Sequence, residues 1–268
     1  MHNSAVGFIG AGNMASAIIG GIRRCGLYPS RALTVYDVNA QKLQEMAALG
    51  LQTAGGAGQV VRDCGMVFLA VKPQNFQEVL EDVRPEVRAD TLFVTIAAGI
   101  STAYIRERTV PDCKVVRAMP NTPLLLGEGA TALCRTGNVT DDEFTAVRRI
   151  FEASGLVEVL TEDRMNEVIA VNGSSPAYVY LFAKTLADRA AEYGIGGEAA
   201  LRLVAQTLIG SAKMLLDSGK TPEELIRMVS SPGGTTLAAL EALEEGNFSG
   251  ILRSAMDRCT KRAEELGR

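Results

Sequence analysis

The feature that most constrains the fold of this 268-residue chain is a glycine-containing turn directly after its first apolar run. The run Ala5 to Ile9 has the composition of a buried strand, and Gly10-Ala11-Gly12-Asn13-Met14-Ala15 follows it. Apolar residues then recur at helical spacing from Asn13 to Arg24. A strand, a two-glycine turn and a helix in this order predict the first half of a βαβ unit.

The residues of this turn suit a dinucleotide. Gly10 allows a tight turn, and Gly12 lets pyrophosphate approach the backbone at the helix N-terminus. Ala15 permits close packing of the helix on the strand. A plain tight turn is the alternative, but the βαβ context favours dinucleotide binding.

Strands and helices alternate through the first part of the chain, which predicts an α/β fold with a doubly wound parallel sheet. The predicted strands are Ala5 to Ile9, Ala32 to Tyr36, Met66 to Val71, Thr91 to Ile96, Val115 to Ala118, Ala130 to Cys134 and Leu156 to Val159. The predicted helices between them are Asn13 to Arg24, Ala40 to Leu49, Asn75 to Val87 and Asp141 to Ala153.

From Thr161 onward the strand signals vanish and helical patterns follow one another, so we predict domains at 1-160 and 161-268. Pro176 predicts a kink or a helix boundary at Gly173-Ser174-Ser175-Pro176. The helical patterns are Asp163 to Tyr193, Gly197 to Asp217, Pro222 to Val229, Leu237 to Leu243 and Asn247 to Glu265.

Composition narrows the class of protein. A hydrophobic content of 47% indicates a soluble globular chain, and a net charge of -4 without basic clusters argues against nucleic-acid or membrane-surface binding. We find no apolar run as long as a membrane span. The start Met1-His2-Asn3-Ser4 shows no signal peptide, so we expect a cytoplasmic location.

The titratable residues limit the chemistry. His2 is the only histidine, which excludes a histidine base. We expect reduced structural thiols and no metal site, because the cysteines lack metal-ligand spacing. They are Cys25, Cys64, Cys113, Cys134 and Cys259.

Asp37 closes the second predicted strand, where a carboxylate can accept hydrogen bonds from the ribose hydroxyls of NADH and repel the 2′-phosphate of NADPH. Asn39 and Lys42 stand nearby and offer donors to such a phosphate. A solvated strand-end charge is the simpler alternative. The residues therefore favour NADH slightly over NADPH.

Three further breaks follow predicted strands: Val71-Lys72-Pro73, Ala97-Ala98-Gly99 and Met119-Pro120-Asn121-Thr122-Pro123. Ligands of open α/β sheets bind outside the carboxyl ends of the strands. Each break is also explained by an ordinary loop before a helix. Together they predict a rim that runs from adenosine to nicotinamide.

In the helical half, Ser230-Ser231-Pro232-Gly233-Gly234-Thr235-Thr236 precedes the helix that begins near Leu237. Adjacent glycines, hydroxyls and a helix start supply what a carboxylate site needs. The simpler alternative is an interhelical turn with Thr235 or Thr236 as the N-cap.

Across essentially its whole length, the chain resembles the Δ1-pyrroline-5-carboxylate reductase family of proline biosynthesis. The resemblance rests on Phe8 to Met14, Ala70 to Pro73, Ala97 to Gly99, Arg117 to Pro123, Gly173 to Tyr178 and Ser230 to Thr236. It implies an N-terminal Rossmann-like domain that binds NADPH or NADH, followed by an all-helical C-terminal dimerisation domain. That domain would interleave with a second subunit in a homodimer, or in a higher oligomer such as a decamer.

The resemblance implies hydride transfer from nicotinamide C4 to a cyclic imine that carries a carboxylate, giving L-proline. An iminium is already electrophilic, so positioning matters more than a strong base. We assign substrate binding to Ser231, Gly233, Gly234, Thr235, Thr236, Met119 and Pro120. The N–H groups of Gly233, Gly234 and Thr235 would hold the carboxylate, and the Thr236 hydroxyl is the catalytic group near the ring nitrogen. The expected cofactor-binding residues are Gly10, Ala11, Gly12, Asn13, Met14, Asp37, Asn39, Ala70, Val71, Lys72, Pro73, Ala97, Ala98, Gly99 and Asn121.

Two positions depart from the family pattern. Asp37-Val38-Asn39-Ala40 stands where family members often carry Ser or Thr with Pro, and Asn172 replaces a common Ser before Gly173. The competing enzyme class is a β-hydroxyacid dehydrogenase, which needs a lysine soon after this turn, but no lysine precedes Lys184. The competing non-enzyme class is a dinucleotide-sensing regulatory or interaction protein, against which the intact Ser230 to Thr236 loop argues.

Overall fold

A computed structural model of the chain describes residues 5–267. These residues divide into two compact units, one that runs to Pro176 and includes the chain from Arg258 onward, and one from Ala177 to Asp257. The residues that bear on the signal peptide and on His2 lie outside the described range.

The first unit is built on one eight-stranded sheet with the strand order β3-β2-β1-β4-β5-β6-β7-β8. Neighbouring strands are parallel except for β6 and β7, which are antiparallel. The strands are β1 Val6–Ile9, β2 Leu33–Tyr36, β3 Gln52–Thr53, β4 Met66–Leu69, β5 Leu92–Thr95, β6 Lys114–Met119, β7 Gly129–Arg135 and β8 Gly155–Val159. The predicted doubly wound α/β sheet is therefore confirmed, except that β7 and β8 run opposite to the other six strands.

Helices cover the sheet because the central strands are apolar on both faces; β1, β4 and β5 are buried throughout. The helices of this unit are α1 Asn13–Arg24, α2 Ala40–Ala48, α3 Ala57–Asp63, α4 Phe76–Val83, α5 Thr102–Arg108 and α6 Asp141–Glu152. Phe8 and Phe68 stack on adjacent strands with ring centroids 4.7 Å apart.

Three short elements escaped the sequence patterns. Strand β3 has two exposed residues, so it shows no apolar run. Helices α3 and α5 have seven residues each, fewer than two full periods of side-chain spacing. Ser101 caps α5 by accepting a hydrogen bond from the Tyr104 N–H, and this was the available signal.

The connector after β8 belongs to the first unit. Met165 is buried with Ala132 and Cys134 of β7, and Ile169 and Ala170 are buried as well. The compact unit therefore extends to Pro176, beyond residue 160. The division into a cofactor-binding domain and a dimerisation domain at residue 160 stays a prediction.

Helices make up the second unit. They are α7 Ser175–Glu192, α8 Gly197–Asp217, α9 Pro222–Met228, α10 Thr235–Glu245 and α11 Phe248–Leu266, and both α7 and α11 have one end in the first unit. A π-helical segment, Ile169–Gly173, precedes α7, so the helical pattern is interrupted at the predicted glycine-containing break.

One expectation about membrane spans was wrong. Helix α8 is long and apolar enough to cross a membrane by length and composition, because its charged residues stand mainly near its ends. Only 6% of its most apolar window is buried within the chain. Length and apolarity suit a helix that contacts another subunit equally well.

The end of α11 packs tightly against the loop after β5. Gly99 has a left-handed φ of +82°, and a Cβ built on it would lie 2.4 Å from the Ala263 carbonyl oxygen. A Cβ on Gly267 would lie 2.3 Å from the Gly99 carbonyl oxygen. Two glycines therefore allow a backbone contact that a side chain on either would prevent.

We expect Gly99→Ala to lower the free energy of unfolding more than Gly127→Ala does. Gly127 has nearly the same φ, +81°, but its Cβ position is open. The left-handed conformation alone costs a non-glycine residue about 1–2 kcal/mol, and only Gly99→Ala adds a backbone clash. Thermal and urea unfolding of both variants measure the difference, and equal losses would contradict the contact with α11.

Candidate active site

The turn after β1 has the geometry of a phosphate site. Gly10 adopts φ +103°, and a Cβ there would lie 2.6 Å from the Ala70 carbonyl oxygen. Gly12 is the N-cap of α1, has no side-chain cap, and has no heavy atom within 4 Å of its Cβ position. Among the described residues, the first N–H groups of α1 have no acceptor, and the space at the Gly12 Cβ position is open, as pyrophosphate binding requires.

The turns after β1 and β4 lie against each other. β1 and β4 are neighbours, and the Ala70 N–H donates to the Ile9 carbonyl oxygen at 2.8 Å. The chain order of the strands changes direction between β1 and β4, since β2 and β3 continue on one side and β5 on the other. Such a switch point is where open α/β sheets bind ligands.

Both carboxylate oxygens of Asp37 accept hydrogen bonds from backbone N–H groups. Oδ2 accepts from the Ala11 N–H at 2.7 Å, and Oδ1 accepts from the Asn39 N–H at 2.8 Å. Its side chain is 12% exposed. Asp37 therefore holds the glycine turn in place, and any ribose contact would use the lone pairs that remain.

Two side chains with donors stand beside Asp37. Asn39 caps α2 by accepting from the N–H groups of Gln41 and Lys42. Lys42 Nζ lies 3.9 Å from Asp37 Oδ2 and is 41% exposed. The Asn39 amide group and the Lys42 ammonium thus leave donors at the end of β2.

The other predicted rim residues follow β4, β5 and β6, whose carboxyl ends lie along the same edge because the three strands are parallel. Lys72 is exposed and precedes a 3₁₀ turn that begins at Pro73. Ala97 and Gly99 are buried, while Ala98 is partly exposed. The structure thus brings together the cofactor residues predicted from Gly10 to Asn121, all in the first unit.

The residues that end β6 form a network with the π-helical segment. Asn172 Nδ2 donates to the carbonyl oxygens of Met119 and Ala130 at 2.7 and 2.8 Å. Asn121 Nδ2 donates to the Asn172 carbonyl oxygen, and its Oδ1 accepts from the Ala130 N–H. The Asn121 side chain therefore bonds within the protein, and Pro120 beside it is buried.

Arg117 is a buried charged residue to which the sequence patterns assign no role. Its guanidinium pairs with Glu162 at 3.0 Å and donates to Asn166 Oδ1 at 2.6 Å. Glu162 also accepts from the Thr102 N–H and from the Cys134 thiol. A single arginine inside the apolar run Val115 to Ala118 was the available signal.

The thiols offer no nucleophile in the buried part of this unit. Burial raises the pKa of Cys64 and Cys113, and burial together with the nearby Glu162 carboxylate raises the pKa of Cys134 strongly. All five cysteines are free. Within residues 5–267, no three His, Cys, Asp or Glu side chains cluster as metal ligands would.

In the second unit, the Pro-Gly-Gly loop leads directly into α10. Gly233 adopts φ +69°, and Gly234, not a threonine, is the N-cap of α10. The alternative in which Thr235 or Thr236 caps the helix is therefore wrong: both lie inside its first turn, and Gly234 supplies no side chain.

The loop leaves N–H groups for an anion. The Gly234 N–H donates to the Ser231 carbonyl oxygen at 2.9 Å, so it is already used and the assignment of this group to a carboxylate needs correction. Among the described residues, the N–H groups of Gly233, Thr235 and Thr236 have no acceptor. A carboxylate at this helix start would face the open N–H groups of Thr235 and Thr236.

We expect Gly12→Ala to weaken dinucleotide binding without loss of folding. The new methyl group meets no protein atom within 4 Å but enters the space assigned to pyrophosphate. Gly137→Ala is the matched control, because its Cβ position is equally open. Gly137 follows β7, which runs antiparallel to β6, so it lies at the edge of the sheet opposite the predicted cofactor residues. Titration with NADH or NADPH, followed by cofactor fluorescence, measures both; equal affinities would reject the phosphate site.

Comparison with known proteins identifies the two regions separately. A family profile described as pyrroline-5-carboxylate reductase dimerisation matches residues 162–266. A second profile, described as NADP oxidoreductase coenzyme F420-dependent, matches residues 5–99. The nicotinamide cofactor expected for the first unit agrees with this second match.

Full-length relatives agree with the profiles. The chain is 37% identical to pyrroline-5-carboxylate reductase of Escherichia coli, over 98% of both chains, and 34% identical to that of Methanosarcina acetivorans, over 100% of both. The crystal structure of the Plasmodium falciparum pyrroline carboxylate reductase with NADP bound covers 100% of both chains at 30% identity, with a TM-score of 0.91. Identity above 30% over nearly the whole length, together with the cofactor edge and the Pro-Gly-Gly loop, shows that this chain belongs to the pyrroline-5-carboxylate reductase family.

Proposed function

We propose that this chain reduces 1-pyrroline-5-carboxylate to L-proline with a nicotinamide cofactor, the last step of proline biosynthesis. It is an oxidoreductase that acts on a C=N bond. The observation that carries the proposal is the helix start at α10, where a Pro-Gly-Gly loop leaves the N–H groups of Thr235 and Thr236 without acceptors. Full-length relatives that bear the reductase name support it.

The chain's own residues bind and orient the reactants. The N–H groups of Gly233, Thr235 and Thr236 hold the substrate carboxylate, and the exposed Ser231 side chain lies against Gly234 and shapes the loop. Met119 and Pro120, in the first unit, stay predicted contacts of the ring. The nicotinamide cofactor, when bound, supplies the hydride.

The substrate's charge removes the need for a strong base. A protonated imine is already electrophilic, so a hydroxyl placed beside the nitrogen is sufficient to hold the ring and its proton. We assign this role to Thr236, which is partly exposed in the first turn of α10. The buried thiols are poor candidates because their pKa values are raised.

The chain self-associates through its dimerisation region. We propose an interleaved homodimer, or a higher oligomer such as a decamer. Within the second unit, large apolar side chains are exposed along α7, α8 and α11, among them Leu181 at 65%, Leu216 at 78% and Ile251 at 62%. Apolar surface of this extent fits contact with a second subunit.

The first alternative, a β-hydroxyacid dehydrogenase, lacks its base here. Lys184 lies on α7 with its ammonium paired to Asp188, and both side chains are exposed. A dinucleotide-sensing protein without turnover is the second alternative, and an assay separates it. The location that we propose is the cytoplasm.

We expect oxidation of NADH or NADPH in the presence of pyrroline-5-carboxylate, and no reduction of NAD+ or NADP+ in the presence of a hydroxy acid. Pyrroline-2-carboxylate serves as the related cyclic imine. The change in absorbance of the reduced cofactor measures turnover in both directions. Cofactor binding without turnover on the first substrate would favour the sensor alternative and overturn the proposal.

We expect Thr236→Ala to lower kcat/KM, by no more than the few kcal/mol that one positioned donor contributes. Thr236→Ser keeps the hydroxyl and is expected to retain most of the activity. Thr207→Ala is the matched control, because its hydroxyl donates to the Leu203 carbonyl oxygen of its own helix. Unchanged kcat/KM in Thr236→Ala, with an unchanged unfolding temperature, would reject the assignment.

For the cofactor, we propose a preference for NADH over NADPH. The negative charge of Asp37 at the end of β2 opposes a 2′-phosphate, while Lys42 offsets part of that charge from 3.9 Å. We expect kcat/KM to be higher with NADH. A large advantage for NADPH would overturn the preference.

We expect Asp37→Ser to shift the ratio of the two kcat/KM values toward NADPH. The variant also loses the acceptor for the Ala11 N–H, so its affinity for both cofactors is expected to fall. Lys42→Ala is the complementary variant, and we expect it to shift the ratio toward NADH. A ratio that stays constant in both variants would show that the residues at this end of β2 do not distinguish the ribose 2′-hydroxyl of NADH from the 2′-phosphate of NADPH.

A further inference from the structure

Asn172 and Asn121 form a reciprocal pair of side-chain contacts, which we call the amide brace. Each side chain reaches backbone of the segment that carries the other: Asn172 Nδ2 donates to the Met119 carbonyl oxygen, and Asn121 Nδ2 donates to the Asn172 carbonyl oxygen. Ala130, in β7, completes the brace. Its carbonyl oxygen accepts from Asn172 at 2.8 Å and its N–H donates to Asn121 Oδ1 at 2.9 Å.

The brace contains an acceptor without a partner. Asn172 Oδ1 is the buried side-chain atom among the described residues that has no hydrogen-bond partner. A buried acceptor left unsatisfied is unfavourable, because it has lost its hydrogen bonds to water. Turning the amide over would be worse, because Oδ1 would then face the carbonyl oxygens of Met119 and Ala130. The orientation of the Asn172 amide is therefore set by the two hydrogen bonds that Nδ2 donates, and it leaves Oδ1 without a partner.

Asparagine meets this requirement better than the nearest substitutes. A serine hydroxyl supplies one donor and has a shorter reach, and an aspartate carboxylate supplies none. The unpaired Oδ1 lowers stability and so gives no reason for an asparagine at this position. Asn172 is thus explained by the two carbonyl groups that it holds, at the place where β6 and β7 separate.

The held segment lies at a defined place along the sheet. Asp37 follows β2, the glycine turn follows β1, and Met119 ends β6, on the other side of β4 and β5. A dinucleotide with its adenosine ribose at β2 and its pyrophosphate at β1 extends its second base toward β5 and β6. Met119-Pro120-Asn121 therefore belongs to the nicotinamide half of the site.

The brace also fixes the Met119 side chain. A Cβ on Gly173 would lie 2.7 Å from Met119 Cε, so the thioether rests directly on the Gly173 backbone. Asn172, the preceding residue, holds the Met119 carbonyl oxygen. The backbone and the side chain of Met119 are thus both placed by the π-helical segment Ile169–Gly173.

We propose that Asn172 is a positioning residue, which acts through Met119 and Asn121 to fix the wall of the nicotinamide half of the cofactor site. For the reaction that this wall serves, the inference rests on the proposed function. Asn172 contacts neither cofactor nor substrate in this proposal. Its removal leaves the adenosine half, near Asp37 and Gly12, as it was.

The experiment compares Asn172→Ser with the unaltered chain for two ligands that differ only in the nicotinamide half. NADH is titrated against ADP-ribose, and NADPH against 2′-phospho-ADP-ribose, by calorimetry. We expect affinity for the intact cofactor to fall about tenfold, the factor that corresponds to the loss of about one hydrogen bond, while affinity for the fragment stays within about twofold. A fall in kcat with the KM for pyrroline-5-carboxylate little changed is expected alongside.

Asn138→Ser is the matched control. Asn138 also uses its amide inside the first unit, with Nδ2 donating to the Asp112 carbonyl oxygen and Oδ1 accepting from Thr136, but it follows β7 at the opposite edge of the sheet. We expect it to lower the unfolding temperature without changing the ratio of cofactor to fragment affinity. An equal fall for cofactor and fragment in Asn172→Ser would overturn the proposal.

A measurement on the unaltered chain covers the case in which Asn172→Ser does not fold. Amide hydrogen exchange is followed at residues 119 to 130 with NADH and with ADP-ribose. Exchange that is slowed by NADH but not by ADP-ribose supports the proposal, and identical exchange with both ligands overturns it. These binding readouts need no turnover, so a chain that binds as expected but does not reduce pyrroline-5-carboxylate would refute the proposed function alone.

Discussion

The close approach of the turns after β1 and β4 is the constraint on which the cofactor edge depends. Gly10 and Ala70 come so near that a side chain at Gly10 would overlap the Ala70 carbonyl group. Asp37 then ties the same turn to the end of β2 through the Ala11 N–H. Three strand ends are thereby joined, and the N-terminus of α1 is left facing open space.

Backbone groups do most of the predicted binding at both ends of the chain. At Gly12 and at Thr235, the groups available to a ligand are N–H groups at a helix start. The polar side chains of Asp37 and Asn121, which the sequence assigned to the cofactor, are largely engaged by the protein itself. Their substitution therefore changes the shape of the site as well as its contacts.

Most of the first unit was predictable because its periodic signals are strong. Helix α1 has the predicted bounds, and the central strands differ from the prediction by one or two residues at their ends. Strand β3 and helices α3 and α5 were missed because two to seven residues contain too few repeats to show a period. The direction of β7 and β8, which run opposite to the other six strands, was also missed, since apolar patterning carries no information on strand direction.

The site was predictable where a motif marks a backbone conformation, and unpredictable where a polar side chain crosses between segments. The glycine turn and the Pro-Gly-Gly loop belong to the first kind. Arg117 pairs with Glu162, and Asn172 reaches Met119, over separations of 45 and 53 residues. No local pattern announces such a partner, although an arginine within an apolar strand shows that one must exist.

There is a physical reason why backbone motifs can be predicted from the sequence and side-chain contacts between distant segments cannot. An N–H group at a helix start is presented by the helix itself, so a short motif is enough to create it. A wall that must stay in place when a ligand binds needs contacts from elsewhere in the chain, and here the π-helical segment supplies them. The unpaired Asn172 Oδ1 is the cost of that arrangement, since the segment is placed to hold two carbonyl groups rather than to satisfy every atom of its own.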